Sequence, residues 1–359
     1  MIAVVDADPA SPKYGAVIGA LTVDTAGKMP HHSEFSLSPS GPLFVNDFSA
    51  DRSFMIDYSN PAHPRLAGRL MAVPSAHTAH SFARLPNGNV VATIQFGDGK
   101  TPGNPGGLAE FDNKGKLLRF ESSADAAYPT GRIRTYALTM LPAIDRIVTT
   151  SSAMDTETVA NTIQVWRMSD LKLMKTLEVP KVDTDSSYKY PFEVRTMPDG
   201  RTAMVNTYTC GFYHVTNLES DPKLERVMAM EQPKNFGCSV PIIAGHFMLM
   251  PIAYAHRYAT LDISNPAHPV EVSSVATDTT FYPHWVARDP GSDRVVVDDQ
   301  GDGAPFVMIG HFDETTGKLT WDEKFRDAGS AKPGISFMKD LWPNGLKGMI
   351  MPHGAVFVP

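Results

Sequence analysis

The sequence predicts an all-β fold, a seven-bladed β-propeller closed by its N- and C-terminal segments and forming a single domain over residues 1–359. Three observations predict it. One corner recurs seven times, a hairpin turn recurs between the corners, and the two together repeat at a spacing of roughly 50 residues, the span of a four-stranded blade.

The corner is plainest at Asp57-Tyr58-Ser59-Asn60-Pro61-Ala62-His63-Pro64 and returns at Asp262-Ile263-Ser264-Asn265-Pro266-Ala267-His268-Pro269. Asp6-Ala7-Asp8-Pro9-Ala10-Ser11-Pro12 is a third copy, and looser ones start near Asp112, Asp170, Asn217 and Asp313. Each lies between short apolar runs, as Ala109-Glu110-Phe111 and Leu117-Leu118 flank the Asp112 copy. Such runs, bounded by Gly, Pro, Asn and Asp, read as strands joined by tight turns.

The second unit is a strand, a Pro- or Asp-Gly turn and a strand. It is clear at Leu85-Pro86-Asn87-Gly88 and Met197-Pro198-Asp199-Gly200, and weaker around Pro39, Pro142 and Pro290. The chain starts in an outer-strand-like segment, Ile2 to Asp6, and stops in an inner-strand-like one, Met351 to Phe357. A last blade shared by both termini leaves no open sheet edge. One strand of that blade is hard to find, so it has three strands or a strand precedes Met1. Residues Lys332 to Lys347 are a short helix or a loop.

Composition narrows the function classes. Hydrophobic content of 42% and charged content of 20% are ordinary for a globular protein. A formal net charge of −7 without a basic stripe argues against nucleic acid. No apolar run is long enough for a transmembrane helix, and Met1 is followed at once by a strand rather than a signal peptide. The two cysteines, Cys210 and Cys238, are expected to be buried free thiols rather than a disulfide, with Cys238 a minor pocket candidate.

Chemistry is expected where the first strand of each blade begins. Counting back six from the turn proline reaches His80 from Pro86, His284 from Pro290, Tyr136 from Pro142 and Phe192 from Pro198. From Pro39 the count reaches Ser33, beside His31 and His32, and the C-terminal copy begins at His353. Propeller closure brings His32, His80, His284 and His353 around one axis. Several neutral imidazoles aimed at one point suit a copper, iron or zinc ion with a position left open for substrate or O₂. His31 and His77 are alternatives to His32 and His80. Neighbouring strand residues point to opposite faces, so His31 and His32 do not both ligate without a bulge. Glu193 and Glu34 are candidate imidazole-orienting acids. His63, His268, His214, His246, His256 and His311 read as structural or surface residues.

These residues resemble the selenium-binding protein and methanethiol oxidase family. The likeness rests on Val4-Val5-Asp6-Ala7-Asp8-Pro9-Ala10-Ser11-Pro12-Lys13-Tyr14-Gly15, on His31-His32, on His77-Thr78-Ala79-His80 and on Met351-Pro352-His353-Gly354-Ala355-Val356-Phe357. It implies a seven-bladed propeller and a copper-dependent oxidase of a small thiol such as methanethiol, with O₂ as second substrate. It implies copper on His31 or His32, His77 or His80, and His353; Glu193, next to Phe192 at the start of its strand, is favoured as the proton-accepting acid. A periplasmic setting is implied, with the cytoplasm as the alternative. The cysteine linked to selenium binding is missing. The four-histidine pattern is also similar to the non-haem iron centre of carotenoid-cleaving oxygenases, and a non-enzymatic metal-binding or interaction propeller is the third expectation.

Overall fold

In a computed structural model the described residues are 1–23, 30–35, 37, 41–101, 103–128, 132–154, 160–181, 186–230, 237–299, 303 and 305–358. Almost all regular structure is strand; the helical pieces among the described residues are two 3₁₀ turns, Pro142–Ile144 and Ala253–Ala255. The fold is an all-β propeller, but it has six blades among the described residues rather than seven.

Each blade is a meander of four antiparallel strands in sequence order. Blade one runs from strand Pro30–Ser33 to Arg65–Arg69, and blade two from Ala76–Arg84 to Leu117–Ser122. Blade three runs from Thr135–Leu141 to Leu173–Glu178, and blade four from Pro191–Thr196 to Lys223–Ala229. Blade five runs from Ile242–Ala244 to Val270–Ala276. Blade six runs from Pro283–Arg288 to Lys318–Trp321, with Ile335–Ser336 added beside its third strand.

The chain divides into two compact units. One comprises Met1–Arg69, Val240–Asp262 and Glu271–Pro359, the other Leu70–Ser239 and Ile263–Val270. The first has an apolar core between blades five and six, including Phe247, Tyr258, Val286, Val297 and Phe312. A smaller core lies around Phe54 and Ile56 of blade one. The second buries Val148, Val165, Val205 and Tyr213 in one cluster, and Val91, Leu138 and Trp166 in another.

The corners join third to fourth strands. Their aspartates cap the turns: Asp57 Oδ1 accepts from Ser59 N–H at 2.9 Å, Asp112 Oδ1 from Lys114 at 2.8 Å and Asp313 Oδ1 from Thr315 at 2.7 Å. The local side-chain bond explains why Asp opens the motif. The hairpin turns join first to second strands, with Gly88 and Gly200 in the left-handed region at φ 88° and 65°. Glycine fits there because it has no Cβ to clash. The turn around Pro39 lies outside the described residues.

The corner count explains the error of one blade. Seven corners mark seven hairpins, but the Asp6 corner joins Ile2–Val5 to Val17–Leu21, a two-stranded sheet. The C-terminal segment expected to complete that blade forms no strand over 350–358. Both terminal segments instead pack on blade six. Trp285 Nε1–H donates to Ala355 O at 2.8 Å, Arg294 lies 5.1 Å over the Phe357 ring and donates to Ala7 O, and Tyr14 OH donates to Asp322 at 2.6 Å. The Lys332–Lys347 stretch is loop with two-residue strand pieces, not helix.

Candidate metal centre

One backbone irregularity places the candidate residues. In five first strands the register slips by one residue: between Pro30 and Ser33, Ala79 and Phe82, Thr135 and Leu138, Pro191 and Glu193, and Pro283 and Trp285. At each slip two residues face one on the second strand, the geometry of a β-bulge. The doublets are His31–His32, His80–Ser81, Tyr136–Ala137, Phe192–Glu193 and His284–Trp285, facing Asn46, Thr93, Thr150, Asn206 and Asp298. The proline count from sequence therefore lands on bulges in blades two, three, four and six.

In the first unit the bulge removes the strand alternation that would set His31 and His32 on opposite faces. Asn46 Oδ1 accepts both of their backbone N–H groups, at 3.2 and 2.6 Å, and the two rings stack at 4.3 Å and 6°. His353 stacks on His31 at 4.1 Å and lies 4.1 Å from the His284 ring. His32, His284 and His353 each present a nitrogen, and these atoms lie within 4.8 Å of one another. Gly354, at φ +145°, turns the chain immediately after His353. Trp285 is fully buried, 5.3 Å from His32, with Phe35 stacked on it at 4.4 Å, so one wall of the cluster is apolar.

Asp298 is the acid beside these imidazoles. It is fully buried, and its Oδ1 lies 3.7 Å from His284 Nδ1. Burial pushes its carboxyl up to about 7, against the His353 imidazole and the backbone N–H groups of Gly354 and Trp285, which favour the charged form. Neither the corner repeat nor the proline count points to it. Its signal is two aspartates, Asp298 and Asp299, ending the apolar run Val295-Val296-Val297 of a buried strand. Glu34 accepts a hydrogen bond from Phe44 N–H at 3.1 Å.

In the second unit His80 is buried, and its Nδ1 is 3.1 Å from Tyr136 O and 3.0 Å from Ser81 Oγ. A carbonyl can only accept, so Nδ1 carries the proton and Nε2 keeps its lone pair. His77 is exposed, its ring on Phe96 at 5.2 Å. Glu193 is fully buried and accepts from Arg195 Nη1 at 2.7 Å. Burial pushes its carboxyl up while the guanidinium works the other way. Cys210 and Cys238 are bonded to each other, which corrects the expectation of free thiols. Cys210 sits at a turn with φ 65°, and its N–H donates to Thr207 O at 2.9 Å, which points its side chain at Cys238. Periodicity carries no sign of such a turn. His63 and His268 are exposed in their corners, His256 bonds Phe281 O at 2.9 Å and His311 bonds Asp293 at 3.1 Å.

The three first-unit histidines fit a metal ion. A four-coordinate ion with imidazole nitrogens at about 2.0 Å holds those nitrogens roughly 3.3 Å apart, inside the span observed. An all-imidazole set suits copper, iron or zinc, and three protein ligands leave a coordination position open. Fold and site thus define an all-β propeller protein with a cluster of three histidines able to hold a metal.

Comparison with known proteins agrees with the propeller fold. The LVIVD repeat model matches residues 49–72 and 256–277, the third and fourth strands of blades one and five with the two plainest corners. A methanethiol oxidase from Hyphomicrobium sp is 26% identical over 197 residues, 49% of this chain and 43% of the relative, so the chain matches under half of that relative's length. Among solved structures, a hypothetical selenium-binding protein from Sulfolobus tokodaii superposes with a TM-score of 0.72 at 16% identity, covering 90% of this chain and 86% of its own. The periplasmic gluconolactonase of Pseudomonas aeruginosa superposes at 0.62 with 14% identity, covering 87% and 89%. The resemblance to the selenium-binding protein and methanethiol oxidase family seen in the sequence is borne out: the chain is a distant homologue of a methanethiol oxidase.

Proposed function

We propose that this protein is a copper-dependent oxidoreductase of a small thiol such as methanethiol, with the metal on His32, His284 and His353. The observation that carries the reading is the convergence of those three imidazoles within 4.8 Å. The distant methanethiol oxidase homologue supports the choice of reaction.

The overall reaction consumes methanethiol, O₂ and water and yields formaldehyde, hydrogen sulfide and hydrogen peroxide. The methyl carbon loses two electrons, which reduce O₂ to peroxide. Copper, when bound, supplies Lewis acidity toward the thiol and a redox couple for the electrons. His32, His284 and His353 would hold the ion. Trp285 and Phe35 form an apolar wall that suits a methyl group and keeps water off its side of the cluster. We assign the protein to the periplasm, since a buried disulfide suits an oxidising compartment.

Elemental analysis of protein purified without chelator, followed by a peroxide assay with methanethiol on copper-loaded protein, tests the reading. Bound copper and peroxide formation are expected. Iron in its place, with cleavage of an alkene, would point to an oxygenase. Protein that takes up no metal sinks the proposal.

A further inference from the structure

The bulges share a second device. The residue facing each doublet binds backbone. Asn46 accepts from His31 and His32, Thr93 Oγ1 from Ser81 N–H at 2.9 Å and Thr150 Oγ1 from Ala137 N–H at 3.1 Å. In the second unit the same side chains also donate to the following blade or segment. Thr93 bonds Tyr136 O at 2.6 Å, Thr150 bonds Phe192 O at 2.7 Å, and Asn206 bonds the carbonyls of Cys238 and Ser239 at 3.0 and 3.2 Å. Amides and hydroxyls suit this position because they accept and donate at once.

Asp298 breaks the pattern, and it does so at the histidine cluster. It faces His284–Trp285, yet an ionised carboxylate only accepts. Both of its carboxylate oxygens are buried without a hydrogen-bond partner, with His284 Nδ1 3.7 Å away and Trp285 and Gly354, each immediately after a clustered histidine, alongside. Among the described residues no lysine or arginine pairs with it. A fully buried carboxylate without a cationic side chain is costly. A metal ion held by the neighbouring imidazoles supplies positive charge where the protein has none.

We propose that Asp298 is the positioning residue of the metal centre, setting the His284 imidazole from behind across the bulge that carries it. The inference rests on the three-histidine reading. With an ion bound, the carboxylate would draw Nδ1–H of His284 toward itself and leave Nε2 for the ion.

The test titrates the full chain with Cu²⁺ and records the electron paramagnetic resonance of the bound ion. Asp298→Asn installs the amide that the fold uses at Asn46 and Asn206, so the side-chain shape is kept while the charge is lost. Its Cu²⁺ affinity is expected to fall roughly 10–100-fold with a changed copper hyperfine pattern, while the unfolding midpoint holds. His284→Ala is the companion and should lose the site. Should Asp298→Asn fail to fold, Asp298→Thr, the residue type used in blades two and three, carries the same comparison. Wild-type affinity and spectrum in the Asp298 variant, with the site lost in His284→Ala, overturns the positioning role alone. Wild-type binding by both variants overturns the centre and this inference with it.

Discussion

His31 and His32 show what one residue of register does. Strict alternation would allow one of them toward the cluster, whereas the bulge opposite Asn46 stacks both rings at 4.3 Å. The positions of His284 and His80 were legible because the turn proline six residues on is a fixed marker. Asp298 was not, since its role depends on which residue faces it across the sheet, and pairing is not written along one strand. Replacing His32, His284 or His353 with alanine is expected to weaken metal binding by more than the roughly 10–100-fold of an orienting group. Competition titration against a chelator of known affinity reads this directly. Equal affinity in all three variants would remove them as ligands.

At the scale of the element, the bulge and its facing residue act together. Thr150 is buried and joins its own blade at Ala137 to the next at Phe192. Thr150→Val keeps the shape and strips both bonds, leaving a buried N–H and a buried C=O unsatisfied. Each costs about 1–3 kcal/mol, so urea unfolding should show a loss of that order or more. A loss below about 0.5 kcal/mol would mean the bonds are replaced by water or backbone shifts. The corners were legible because an Asp-capped turn is a local event. The number of blades was not, because a corner reports one hairpin and says nothing about the two strands inside it. Pairing with partners far along the chain decides that, and at the N-terminus the Asp6 corner has only Ile2–Val5 and Val17–Leu21 to join.

At the scale of the molecule, the blades are propeller blades, and their order along the chain was readable from repeat spacing alone. The disulfide was not, because it depends on where blade four ends relative to the segment after it. Cys210 and Cys238 are 28 residues apart. Closing a loop of that size in the unfolded chain is worth about 3–4 kcal/mol by the chain-entropy relation. The paired Cys210→Ser and Cys238→Ser variant is therefore expected to unfold at lower urea, with a loss of that order, and an unchanged midpoint would contradict it. The proposed metal centre needs His32, His284 and His353 together. Crystals grown from copper-loaded protein, measured on both sides of the copper absorption edge, test it most directly. One anomalous peak bounded by nitrogens of His32, His284 and His353 is expected. Full copper occupancy with the peak elsewhere, or with none of these three nitrogens in reach of it, would contradict it.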